Sequence, residues 1–178
     1  VIRVIGHLDS VFCLDVDYTS QLLITGADDS IIKLWKIPDM VLMETILVHQ
    51  NVISDIQISP DNRWIATSSH DFTIVILDLW NNCESIKKIV LESEIHAVRF
   101  SNNGDYLAAA LEQGMIKIYN VNDNFSEFYT VIPPSKKACA WICFSPGDNF
   151  LAFTCEPCDI CVFSMKSLTV LRLAGHQK

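Results

Sequence analysis

Cys155-Glu-Pro-Cys158-Asp-Ile-Cys161, with Cys139 and Cys143 upstream, is the stretch whose residue types could hold a metal. Paired Cys-x-x-Cys steps supply thiolates at the spacing of tetrahedral zinc sites. Five histidines and the acidic pair Asp28-Asp29 are the other groups with ligand or acid-base capacity. A nucleophile with an adjacent base has no recognisable signature, and neither Gly-x-Ser-x-Gly nor a phosphate-cradling glycine loop occurs. What the remaining candidates can do depends on the elements that place them.

Those elements repeat. Ile24 to Ile37 reads as two β-prone runs joined by a tight polar turn, preceded by the trio Val11, Leu14 and Val16 and the turn Asp17-Tyr18-Thr19-Ser20, and followed by a run from Val41 to Leu47. A shift of 42 gives Ile53, Ile56 and Ile58, the turn Ser59-Pro60-Asp61-Asn62 and the stretch Ala66 to Leu79. A further 42 gives Ile95, Val98, Phe100 and Ser101-Asn102-Asn103-Gly104, and a last shift of 44 gives Cys139, Ile142, Phe144 and Ser145-Pro146-Gly147-Asp148. Four short strands per repeat, with turn signals at short intervals, predict an all-β fold of β-propeller blades. The blades fall at residues 7–47, 49–91, 94–132 and 138–173, with 1–5 as the outer strand of another blade and 175–178 as the start of a next repeat.

This register decides the cysteines. Cys155, Cys158 and Cys161 take the places of Ala27, Ser30 and Lys33 in the first blade, ordinary strand and turn positions where a free thiol packs as a small hydrophobe. No metal and no cofactor is expected. Seven cysteines, an odd number set within apolar runs, also fit a reducing compartment better than a disulfide framework.

Composition narrows the partners. A hydrophobic fraction of 50% excludes a disordered tail, and a net charge of −8 disfavours direct nucleic-acid binding and favours basic partners. No apolar run approaches the roughly eighteen residues of a membrane span, and the start lacks a secretory pattern. The expectation is a soluble intracellular protein that does not contact membranes.

Gly6-His7, Thr25-Gly26, Asp29 and Leu34-Trp35 together resemble the Trp-Asp (WD) repeat family. That resemblance implies a buried structural network through His7, Thr25, Asp29 and Trp35, with Lys36 in place of the usual final Asp. A buried Asp is costly unless its oxygens are paired, and a His bridged by a hydroxyl to an indole N–H satisfies every member. The second blade keeps His49, Thr67 and Asp71 but has Leu77 for the Trp, so its network is expected to be one partner shorter. The third has Gln113 and Tyr119, the fourth Pro157 and Phe163, and both are expected to rely on apolar packing. A narrower likeness, to the N-terminal propeller of bromodomain and WD-repeat proteins, implies a nuclear chromatin or transcription regulator with bromodomains outside this sequence. The family as a whole implies a non-enzymatic scaffold, with alternatives in ribonucleoprotein or transcription-complex assembly or as the substrate receptor of a cullin-type ubiquitin ligase. The Arg expected two residues beyond the Trp-Asp pair in such receptors is absent from the first two blades.

Carried over from the family, the partner-binding rim is Ser10, Phe12 and Asp28; Val52, Ser54 and His70; Glu94, His96 and Glu112; and Ala138, Ala140 and Glu156. Four of these are acids and none is Lys or Arg, which suits basic peptides such as histone tails. WD propellers usually close with seven or eight blades, so four are expected to be part of a larger ring, completed by the same chain or a partner. An open arc leaves blade faces and edges uncovered. The 178-residue piece alone is therefore expected to be oligomeric or poorly soluble; light scattering that showed a monodisperse, cooperatively melting monomer would contradict this.

Overall fold

The computed structural model describes residues 6–133, 138–155 and 159–173, without the side chains at 155 and 159. The runs at 1–5 and 175–178, together with Glu156, Pro157 and Cys158, lie outside the described residues. Among the described residues the chain is all-β, with four four-stranded antiparallel sheets. The first comprises β1 (Val11–Val16), β2 (Leu22–Ala27), β3 (Ile32–Lys36) and β4 (Val41–Ile46), and the second β5 (Ile53–Ile58), β6 (Trp64–Ser69), β7 (Thr73–Asp78) and β8 (Glu84–Val90). The third comprises β9 (Ile95–Phe100), β10 (Tyr106–Leu111), β11 (Ile116–Asn120) and β12 (Ser126–Val131), and the fourth β13 (Ile142–Phe144), β14 (Phe150–Cys155), β15 (Asp159–Ser164) and β16 (Thr169–Leu173). In each, neighbours in sequence are neighbours in space, the meander of a propeller blade. The chain divides into two compact units, residues 1–92 with the first two blades and 93–178 with the last two.

Burial explains the composition of the strands. In the second blade Ile65 to Ser69 of β6 and Thr73 to Leu77 of β7 are all buried, whereas β8 is mostly exposed. A strand covered on both faces reads as a nearly continuous apolar run, and an outer strand alternates or turns polar. The core of the first unit gathers Ile24, Ile32, Ile53, Ile58, Ile65 and Leu77; that of the second gathers Ile116, Ile118, Leu151, Phe153, Cys161 and Phe163.

The turn between the first two strands is built alike in all four blades. Its first residue donates its N–H to the carbonyl five positions on, from Asp17 to Leu22, Ser59 to Trp64, Ser101 to Tyr106 and Ser145 to Phe150. The same residue's side-chain oxygen accepts the returning N–H, at 2.7 Å for Asp17, 2.8 Å for Ser59, 2.9 Å for Ser101 and 3.1 Å for Ser145. Burial opposes ionisation of Asp17, but the hydrogen bonds from Thr19, Leu22 and Gln21 outweigh it and hold the carboxyl below its ordinary pKa. The fourth turn residue is left-handed each time: Ser20, Asn62, Gly104 and Asp148 have φ between 56° and 79°. Gly, Asn and Asp tolerate that region best.

Two of these residues also dock blade on blade within a unit. Asn62 Oδ1 accepts the N–H of Tyr18 at 2.9 Å in the first unit, and Asp148 Oδ1 accepts the N–H of Asn102 at 2.8 Å in the second. Asp15 adds a second tie, its Oδ2 accepting the N–H of Ile58 at 2.8 Å. Asn62→Ala removes both the tolerance of positive φ and the acceptor, and is expected to cost about 1–2 kcal/mol. Asn62→Gly keeps the backbone conformation and is expected to cost less. Urea denaturation of the two variants checks the order.

Candidate functional site

In the first blade, Trp35 Nε1–H donates to Thr25 Oγ1 at 3.0 Å, His7 Nε2 lies 2.8 Å from the same oxygen, and His7 Nδ1 lies 3.0 Å from Asp29 Oδ2. One proton arrangement satisfies every member: the hydroxyl donates to Nε2, and the imidazole carries its proton on Nδ1 toward the carboxylate. Asp29 also accepts the N–H groups of Leu8 and Ile31 at 3.0 Å each. Burial works against the Asp29 charge, and these N–H groups with His7 outweigh it, so its pKa lies below the ordinary carboxylate value. The indole sets the size of its neighbour, since a Cβ on Gly6 would lie 2.3 Å from the Trp35 ring. Where Leu77 replaces the Trp, Val48 stands at the Gly6 position and packs on the core.

The second blade has the same centre, with His49 Nε2 2.7 Å from Thr67 Oγ1 and Nδ1 3.1 Å from Asp71 Oδ2. It is not simply one partner shorter. Thr73 Oγ1 donates to Asp71 Oδ1 at 2.6 Å and lies 3.1 Å from His49 Nδ1, a role the first blade's Ile31 has no group to fill. The signal was the Asp71-Phe-Thr73 spacing, whose hydroxyl returns to the carboxylate two residues back. In the third blade Leu91, Ala109 and Gln113 stand in the places of His, Thr and Asp, and Leu91 and Ala109 are buried.

The rim residues are joined by a repeated backbone bond. Asp28 N–H donates to the Ser10 carbonyl at 2.9 Å, His70 to Val52 at 3.1 Å and Glu112 to Glu94 at 2.9 Å. Each bond brings together the first and last rim position of a blade, at the end of the sheet that carries the β2–β3 type of turn. Phe12 is 65% exposed and Ser10 is exposed, while Asp28, Val52 and Ser54 are half-buried, the last with its hydroxyl 2.9 Å from that of Ser68. In the second unit Glu94 and His96 are half-buried, Glu112 is exposed, and His96 Nε2 meets Glu112 Oε2 in a hydrogen bond. Ala138 is half-buried and Ala140 exposed, its N–H 3.3 Å from Thr154 Oγ1. Glu156 lies outside the described residues. Cys139 and Cys161 are buried, and burial, partly offset by hydrogen bonds from Thr154 and Trp141, pushes the Cys139 thiol up to about 11. Such a thiol is neutral and serves as packing.

The family model described as WD domain, G-beta repeat matches residues 1–36, 41–78 and 86–120, more than half of the chain. Over 127 residues the chain is 30% identical to a bromodomain and WD repeat-containing protein of Dictyostelium discoideum, covering 67% of this chain and 6% of that protein. It is 26% identical over 112 residues to periodic tryptophan protein 2 of Saccharomyces cerevisiae, covering 62% of this chain and 12% of the relative. It is 28% identical over 113 residues to small ribosomal subunit protein RACK1 of Neurospora crassa, covering 62% and 35%. The chain thus spans about a third or less of the length of these relatives. The solved structure of U3-55K superposes with a TM-score of 0.87 at 18% identity, covering 97% of this chain and 54% of that one, a likeness of fold.

Burial lowers the pKa of His49 below 6.5, against the opposing pull of the Asp71 carboxylate. As pH falls through 6.5 the unfolded chain takes up a proton that the native His49 refuses until its lower value is reached. Stability is therefore lost across that window on acidification. Asp71, also lowered, acts in the same direction only below the ordinary carboxyl value of 3.8. The slope of unfolding free energy against pH, measured by urea denaturation between about pH 7 and 5, is expected to be shallower in His49→Gln than in the parent; equal slopes would contradict the assignment.

Proposed function

The chain belongs to the WD domain, G-beta repeat family, and from that premise we propose that it is a non-enzymatic protein-interaction scaffold that takes basic peptides on the β2–β3-turn side of its blades. The observation that carries this reading is the third blade. There the backbone bond between Glu94 and Glu112 sets two acids side by side, and His96 holds the Glu112 carboxylate in one orientation. An oriented anion on an exposed sheet end favours a cation from a partner, in the manner of complementary charge across interfaces. Asp28 holds the corresponding position in the first blade.

Histone tails are the basic peptides this reading favours, with a nuclear chromatin role, and the bromodomain and WD repeat-containing relative supports it. A second reading, a scaffold in ribosomal or translational assembly, is supported by the RACK1 relative and by a 26% identical eukaryotic translation initiation factor 3 subunit I from Debaryomyces hansenii. In calorimetric titration with a Lys- and Arg-rich histone-tail peptide, Glu94→Lys and Glu112→Lys are each expected to weaken binding about tenfold and to flatten its salt dependence. Affinity unchanged by both substitutions would discard this surface.

A further inference from the structure

The two blades of the first unit are not packed together as the two blades of the second are. In the second unit Tyr129 of β12 stacks on Phe163 of β15 with ring centroids 5.3 Å apart, and Tyr106 of β10 meets Phe128 at 5.1 Å. Tyr129 and Phe163 thus meet in the wedge between the outer strand of one blade and the next blade, Tyr106 packs on the same core, and Phe128, 41% exposed, lies against Tyr106. Strand pairing identifies the counterparts in the first unit. Glu44 pairs with Leu34 as Tyr129 pairs with Ile118, and Leu22 pairs with Lys36 as Tyr106 pairs with Asn120. Leu77 pairs with Ile65 as Phe163 pairs with Leu151. Met43, beside Glu44, takes the place of Phe128. All four rings are replaced by smaller side chains, one of them charged.

The space they vacate is open. A cavity of about 530 Å³ lies there, walled by Leu22, Leu34, Met43, Leu79, Trp80 and Cys83, with Glu44 at its side. Its described lining includes the carboxylates of Asp17, Glu44 and Asp61 and no Lys or Arg. Asp17 is consumed by its own turn. Glu44 is exposed, and no ion pair among the described residues engages it. Arg63, in the strand connection beside this wall, lies over the Trp64 and Trp80 rings and pairs with Asp78. Burial, with the charges of Glu44 and Asp78, pushes the Cys83 thiol up to about 11, so that wall is neutral while the field beside it favours cations. Trp80, 67% exposed, forms an open lip.

We propose that this cleft between the first two blades docks an extended segment of a partner protein through an aromatic side chain flanked by Lys or Arg. The ring enters the space that Tyr129 and Phe163 fill in the second unit, and the cation meets Glu44. The volume suits one large side chain with its backbone, and an apolar pocket with few polar groups is the usual form of such a site. In the first unit the cleft opens at the end of the sheets carrying the β1–β2 and β3–β4 types of turn, opposite the turns that bear Asp28 and His70. It is therefore separate from the rim described above.

Fluorescence polarisation of the full chain with labelled acetyl-Gly-Phe-Arg-Gly-amide tests this. Probes with Phe-Glu or Ser-Arg at the centre are expected to bind at least about tenfold more weakly. Glu44→Gln, which keeps the cavity and the fold, is expected to weaken the Phe-Arg probe about tenfold. Glu44→Tyr is expected to plug the cleft and abolish binding without lowering the melting temperature. Equal binding of the Phe-Arg and Phe-Glu probes, absence of binding to the parent, or binding that survives Glu44→Tyr overturns the proposal. So does concentration-dependent dimerisation lost in Glu44→Tyr, which makes a second copy of the chain the occupant.

Discussion

In the first three blades the second and third strands are buried on both faces along most of their length, and the rest of the structure answers to that burial. A strand so placed cannot send an unpaired polar side chain to water. Each polar group there must close a network, or give way to an apolar one that fills the same volume. In the first blade Thr25 lies on such a strand and is satisfied by Trp35 and His7; in the second, Thr67 is satisfied by His49. The outer strands, exposed on one side, are free of the requirement and carry the variation.

The same burial explains why the network is lost as a set. Taking the His alone from the first blade would leave Thr25 without its imidazole acceptor and Asp29 with one donor fewer, and buried unsatisfied groups cost more than the bonds they made. The third blade has instead the buried Leu91 for His and the buried Ala109 for Thr, with an exposed Gln113 in the place of Asp. The second blade is intermediate. Having lost the indole, it gains Thr73 on the other side of Asp71, so the buried carboxylate keeps a full shell of donors.

Much of this could be read from the amino acids alone. The period, the four-stranded blades and the turns follow from β-branched runs and from the Asp, Ser, Asn and Gly that close them, because turn chemistry is local. Thr73 was harder, since a Thr at the start of a strand signals only β-propensity until a carboxylate is known to lie beside it. The cleft was beyond reach. A constant shift of 84 sets Glu44 against Phe128, but the connection between the third and fourth strands is one residue longer in the third blade (121–125 against 37–40), so that Tyr129 is the true counterpart. One residue of slip exchanges the two faces of a strand, and only the paired backbone shows which face is filled.

That slip also separates two ways in which acids are placed in this chain. Asp17, Asp29 and Asp71 are ringed by N–H groups and hydroxyls, and their lowered pKa values report hydrogen bonds that outweigh burial. Their charge is spent on the fold. Glu44 sits where the fold elsewhere uses an aromatic ring, and it makes no such bonds among the described residues. Glu112 stands at a sheet end with a histidine as its neighbour. Carboxylates of the first kind cannot be traded for a partner's cation without unmaking a turn or a network. Those of the second kind can, and in a chain of net charge −8 this distinction, more than the total, decides where a basic partner could act.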